Sequence, residues 1–170
     1  MSIKQTALAT LTACAFLISS PVMAQETKVV KTFSAWTMYS HIGAPGDICF
    51  ITSQPRETKP ADVQRERAYF YVSSWNKDGI RSQISVLLGY DLEDQAPITV
   101  TVGSRQFKMF AKDDKGFVGD STSELQLIDA MKRGNFMTVT AKTKDGTETT
   151  DTYSLIGATA AVNSLSNGCS

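Results

Sequence analysis

Histidine occurs once in the 170-residue chain and cysteine three times. That scarcity removes most metal and nucleophilic chemistry at the outset. One His beside so few Cys does not supply an ordinary zinc set. His41 as the base of a hydrolytic triad would need an activated serine, and no Gly-x-Ser-x-Gly or equivalent turn accompanies it. At the end of a strand-like run, beside a Gly/Pro turn, it reads as a surface histidine. Gly-rich phosphate loops are absent. Adjacent carboxylates occur only in turn-like settings such as Glu93-Asp94, which gives glycoside hydrolysis no support. Lys112-Asp113-Asp114-Lys115-Gly116 lacks the alternating ligands and terminal Glu of a calcium loop and reads as a solvated turn. Charge of one sign is missing too: 17 basic residues balance 17 acidic ones, whereas a nucleic-acid binder needs a basic face. The expectation is a non-enzymatic chain with no metal, no cofactor and no nucleic-acid partner.

No apolar run reaches the ~20 residues that span a bilayer. Ala7 to Ser19 is apolar or small, follows Lys4, and precedes Pro21 and Val22-Met23-Ala24, with small residues at −3 and −1 of a cut before Gln25. This is the layout of a secretory signal peptide over residues 1–24. It leaves 25–170 as one globular domain with room for a real core. Leu11-Thr12-Ala13-Cys14 loosely imitates a lipobox and is the alternative, which would place a lipid on Cys14. Cleavage removes Lys4 alone among the charged residues and shifts the net charge from zero to −1. The mature chain is expected in the periplasm, peripherally associated with the outer membrane, or secreted. In that oxidising setting the remaining pair, Cys49 and Cys169, reads as a disulfide. The polar tail Asn167-Gly168-Cys169-Ser170 offers no core in which to bury a thiol. A bridge closing about 120 residues would limit unfolded-chain entropy by up to ~4.8 kcal/mol.

Strand signals dominate what is present. Phe33 to His41 and Asp47 to Gln54 are β-rich runs separated by Gly43-Ala44-Pro45-Gly46. Ala68 to Trp75 is aromatic and β-branched, Asn76-Lys77-Asp78-Gly79 reads as a turn, and Ile80 to Leu88 alternates cleanly. Ile98 to Val102, the turn Gly103-Ser104 and Arg105 to Phe110 form a second hairpin pattern. Phe136 to Lys142 and Thr147 to Leu155, around Lys144-Asp145-Gly146, form a third.

Two helices are expected. Ser121-Thr122-Ser123-Glu124 matches a capping box, Leu125, Ile128 and Met131 share a face, and Gly134 stands where a terminating glycine belongs. Ala158, Ala161, Val162 and Leu165 follow helical spacing before Gly168. The whole predicts a mainly β domain, an antiparallel sandwich or barrel-like fold of about eight or nine strands with two short helices.

Ser53 to Gln64 is polar, holds Pro55 and Pro60, and reads as either disordered or functional. Material for recognition lies in Trp36, Tyr69, Tyr71 and Trp75, with Arg56 and Lys59 as basic companions from that loop. Both faces of Ala68 to Trp75 are apolar or aromatic. That strand is either buried on both sides or offers one side to a partner.

The ordered set of motifs resembles the invasion-associated locus B family of alphaproteobacterial envelope proteins. It comprises Phe33-x-x-Trp36 after the leader, Ile48-Cys49-Phe50, Tyr69-Phe70-Tyr71-Val72-Ser73, Lys77-Asp78-Gly79, Gly89-Tyr90, Phe107-Lys108-Met109-Phe110, Met131-Lys132-Arg133-Gly134 and Thr149 to Leu155 with Gly157. The resemblance covers nearly all of the mature chain. It implies a periplasmic or outer-membrane-associated protein without enzymatic activity, linked in some pathogenic members to host-cell invasion. It hands over no catalytic residues. Longer members carry a cysteine soon after the Trp, where this chain reads Thr37-Met38-Tyr39-Ser40; that departure favours Cys169 as the partner of Cys49. The leading expectation is a binding or structural module acting on an envelope or host-surface protein. The alternatives are a chaperone-like accessory factor holding clients on an exposed strand and, as a reserve, a histidine-based hydrolase.

Overall fold

The computed structural model describes residues 26–43, 47–75, 80–93 and 95–168. The expected leader and Cys169 lie outside the described residues. In chain order the elements are β1 (Glu26–Phe33), β2 (Trp36–Ile42), β3 (Ile48–Ser53), β4 (Glu57–Lys59), β5 (Tyr69–Trp75), β6 (Ile80–Leu87), β7 (Ile98–Val102), β8 (Arg105–Lys112) and β9 (Lys115–Phe117). Then come α1 (Ser121–Arg133), β10 (Phe136–Lys142), β11 (Glu148–Ser154) and α2 (Ala158–Ser166).

All strands join one antiparallel sheet in the order β1-β2-β3-β5-β6-β9-β8-β7-β10-β11-β4. The sheet is not closed: β1 and β4 are its edges. It curls instead, so that its two halves meet across one core. The Trp36 indole Nε1 donates to the Ser154 carbonyl at 3.0 Å, and the Phe70 and Tyr153 rings lie 5.8 Å apart. The expected mainly β, barrel-like antiparallel domain with two helices is thus present as one open, curled sheet and not as a closed barrel.

Period-two patterning explains most of the inner face. Ile98, Val100 and Val102 are buried while Thr99 and Thr101 face outward, and Met137, Val139 and Ala141 repeat the pattern on β10. The expected turn at Gly103-Ser104 is present, with Gly103 at φ +59. Ala158, Ala161, Val162 and Leu165 of α2 are all buried, against β1, β2, β3 and β5.

Three short or polar strands raise the count to eleven from the expected eight or nine. β1 has almost every side chain in solvent, so it carries no alternation to read. Main-chain pairing with β2 holds it, and a turn at Ser34-Ala35 breaks the expected single run from Phe33 to His41. β8 extends to Lys112 and turns directly into β9. β4 lies inside the segment read as disordered or functional. It is ordered because it pairs with β11 and because a buried ion pair, described below, anchors it.

Helix α1 also departs from expectation in detail. Asp120, not Ser121, is the cap; its carboxylate accepts the Ser123 amide at 2.9 Å. That bond holds the carboxyl below its ordinary pKa. The buried stripe is Glu124, Leu127, Ile128 and Met131, so Leu125 is rotated out and is 62% exposed. Glu124 reaches inward and accepts the Ile84 amide at 3.0 Å. Gly134 ends the helix in an extended conformation; an added Cβ there would lie 2.6 Å from Val102 Cγ1.

Burial raises the Glu124 pKa above its ordinary value, more than the Ile84 hydrogen bond lowers it. The folded chain thus holds that proton more tightly than the unfolded one, and stability falls as pH rises through the ordinary glutamate range into the raised value. Glu124→Gln keeps an acceptor for Ile84 and loses the titration. Urea midpoints of the variant, relative to the parent, are expected to improve as pH rises from the ordinary glutamate range of about 4.3. A pH-independent difference would show that Glu124 does not titrate in this window.

Candidate functional site

The outer surface of the sheet is different on its two halves. On β7, β10 and β11 it is a threonine array: Thr99, Thr140 and Thr150 are successive cross-strand partners, as are Thr101, Thr138 and Thr152. Lys108 closes the first row with a 3.0 Å hydrogen bond to Thr99 Oγ1. Such a face is well hydrated. On β2, β3 and β5 the equivalent surface is aromatic. Tyr39 stacks on its cross-strand partner Phe50 at 5.2 Å, Phe50 meets Tyr71 at 6.0 Å, and Tyr71 meets Tyr69 at 5.9 Å.

The row Thr37-Thr52-Tyr71-Ser85-Phe117-Phe110 runs through successive partners across six strands. It ends on Phe110, which is 53% exposed and stacks on Phe117. Large rings standing on a pleated face shield the small residues between them. Ser73, opposite Phe50, and Thr52, opposite Tyr71, are buried although both lie on the outer side. Burial raises the Tyr71 pKa, assisted by Tyr69 and Tyr39, so the Tyr71 phenol keeps its proton at physiological pH.

At one end of this surface lies a groove of about 250 Å³ lined in part by Tyr39, Tyr69, Thr37, Thr52, Gln54 and Arg56. Arg56 is exposed, and its guanidinium lies 5.2 Å from the Phe136 ring centroid. Thr52 Oγ1 has no hydrogen-bond partner among the described residues, and Thr52 is 8% exposed.

Beneath the other half sits the ion pair that orders β4. Asp151, fully buried, accepts Arg65 Nη1 and Nη2 at 2.7 Å each and Thr58 Oγ1 at 2.8 Å. Burial opposes the Arg65 charge, but the hydrogen bonds and charge of Asp151 prevail and its pKa is raised. Neighbouring Tyr153 is held well above its ordinary pKa by burial. This cluster ties β4 and the segment after it to β11.

The sequence-derived candidates therefore separate. Tyr69, Tyr71 and Trp75 stand on the outer side of β5, partly buried, so that strand buries one face and leaves the other open. Trp36 does not join them: it is 0% exposed, on the inner face, in edge-to-face contact with Phe70. Arg56 lines the groove, whereas Lys59 lies on the far edge strand, paired with Glu57. Tyr39 and Phe50 were not among the candidates. Their signal was legible, since β2 and β3 alternate core residues (Trp36, Met38; Cys49, Ile51) with aromatics. His41 shares a 2.7 Å hydrogen bond with Thr27 Oγ1 at the edge of the sheet. Among the described residues no three His, Cys, Asp or Glu side chains converge as metal ligands, and no helix is long and apolar enough to cross a membrane.

Fold and surface together define a class: a protein of one curled antiparallel sheet, with two helices against its core and a continuous aromatic strip on one outer face. The family model described as Invasion associated locus B (IalB) protein matches residues 36–166, and the chain belongs to that family. Among solved structures the chain is similar to invasion associated protein B from Bartonella henselae, at 16% identity and a TM-score of 0.56, over 79% of this chain and 94% of that one. At that identity the likeness is one of fold. No curated protein sequence matches the chain.

Proposed function

We propose that this chain is a non-catalytic binding module of the bacterial cell envelope, engaging a partner through the aromatic outer face of β2, β3 and β5. The observation that carries the reading is the contrast within one sheet. Where β7, β10 and β11 face solvent they present threonine, and where β2, β3 and β5 do so they present four contacting rings. Aromatic side chains dominate the buried centres of protein interfaces, and a contiguous apolar patch on a soluble surface marks such a site. The partner in this reading is an envelope or host-surface protein. The leader-like segment of residues 1–24 supports a periplasmic or outer-membrane-associated location in this reading.

A photo-crosslinking amino acid in place of Tyr71 is expected to capture one dominant envelope or host-surface partner in cells, and the same group at Thr138 is not. Tyr39→Ser with Tyr69→Ser should abolish capture while lowering stability by about 1 kcal/mol per lost ring contact. Equal capture from both positions, or substrate-dependent turnover by the purified protein, would overturn the reading.

The proposal includes a Cys49–Cys169 disulfide. Cys49 is buried on β3, against which α2 packs, and α2 ends at Ser166, close in sequence to Cys169. Intact mass is expected to rise by two hydrogens on reduction; an unchanged mass would mean two thiols.

A further inference from the structure

The groove between Tyr39, Tyr69 and Arg56 has a chemistry of its own, and the inference drawn from it rests on reading this face as a binding surface. Its lining carries a single formal charge, the Arg56 guanidinium, and no carboxylate. Arg56 makes no ion pair among the described residues. Its contact with the Phe136 ring places the guanidinium while leaving its hydrogen-bond donors free for an anion. The second observation is the neutral polar wall beside it: Thr37 and Gln54 line the groove with the Tyr39 and Tyr69 rings, while the Thr52 hydroxyl lies shielded beneath.

The main chain excludes one class of occupant. Along the groove, β2 is paired on both sides, by β1 and β3, and β3 is paired on both sides, by β2 and β5. No row of free amides and carbonyls remains for a peptide backbone to join, which is how extended peptides are held on sheets. Recognition must come from side chains: two phenol rings, the Thr37 hydroxyl, the Gln54 amide and one guanidinium. Flat C–H faces resting on rings, hydroxyls dispersed around them and one negative group are the features of an acidic sugar.

We propose that this groove is a subsite for a carboxylate-bearing saccharide. The sugar ring rests on Tyr69 and Tyr39, its hydroxyls meet Thr37 and Gln54, and the carboxylate pairs with Arg56. The volume of about 250 Å³ suits one ring of a longer chain and falls below the range of sites that engulf a whole drug-sized ligand.

The test is a glycan array of uronate-bearing saccharides, their methyl esters and neutral counterparts, probed with the purified full-length mature protein. Hits are quantified by calorimetry against a carboxyl-terminated tripeptide. Retention is expected only for the free-acid saccharides. Arg56→Met should weaken it about tenfold or more and erase the acid-over-ester preference, and Gln54→Ala should weaken binding with the preference intact. No retained acidic saccharide, equal binding of esters, or tighter binding of the tripeptide would each overturn the assignment. Arg56→Met leaves the ring strip intact, so crosslinking from Tyr71 continues if only the saccharide subsite is wrong and is absent if the whole face is misread.

Discussion

Asp151→Ala is expected to cost about 3–5 kcal/mol, the range for leaving one member of a buried ion pair without its partner. The Arg65 side chain is 10% exposed and loses two charge-assisted bonds at once, while Thr58 loses a third. Deprotonation offers no escape. A guanidinium keeps its proton in proteins even without a partner, so Arg65 stays charged in the variant and the loss should be nearly the same at pH 5 and pH 8. Segment 54–67 should then detach, which protease cleavage within it would report. The double variant Arg65→Met/Asp151→Leu should recover most of the stability, because apolar replacements of buried pairs are often neutral. A urea midpoint for Asp151→Ala within about 1 kcal/mol of the parent would show that the pair is not what holds β4.

The second large effect is expected at Gly157. It caps α2 at φ +92, and an added Cβ would lie 1.9 Å from the Phe33 carbonyl oxygen. A main-chain atom cannot swing aside as a side chain can. Gly157→Ala must push the turn between β1 and β2 away from α2, at a cost on the order of 3 kcal/mol. Gly103→Ala is the control: φ is +59 but nothing lies within 4 Å, so only the left-handed conformation is charged, about 1 kcal/mol. Equal losses in the two variants would show that the close approach at Gly157 is unimportant. The consequence reaches the groove, because the same turn is tied to the end of β11 through Ala35 N to Ile156 O at 3.3 Å and through Trp36 to Ser154. Ala35 and Ser154 belong to the groove wall.

Elements whose side chains divide cleanly between water and core were legible in the sequence. The hairpin β7–β8, strand β10 and the buried stripe of α2 follow their periods closely. The rest was hidden for reasons of chemistry. β1 buries only its last residue, Phe33, in part, so no alternation marks it as a strand. β4 is three polar residues whose order depends on Asp151, placed 92 residues later, and on β11 the inward positions read Thr149, Asp151 and Tyr153. A polar inner face looks like an outer one until its partners are known. In α1, Glu124 sits where a capping box and a core stripe coincide, and the capping pattern concealed the inward role. For the candidate face, Tyr69 and Tyr71 stood out as alternate residues on one strand. The strip itself needed the registers Tyr39–Phe50 and Thr52–Tyr71, which only pairing between distant strands supplies.

The position of β4 at the far edge of the sheet has a consequence in time. The chain is made from its N-terminus, and residues 57–59 emerge long before residues 150–152, with which they pair. For most of synthesis this segment has nowhere to go. Its polar, proline-bearing composition is what keeps an unpaired stretch from seeking other strands in the interval. Arg65 stays hydrated until Asp151 arrives. The last strand of the sheet to be covered is thus one of the first to be made, and locking it down signals that the rest of the sheet is complete.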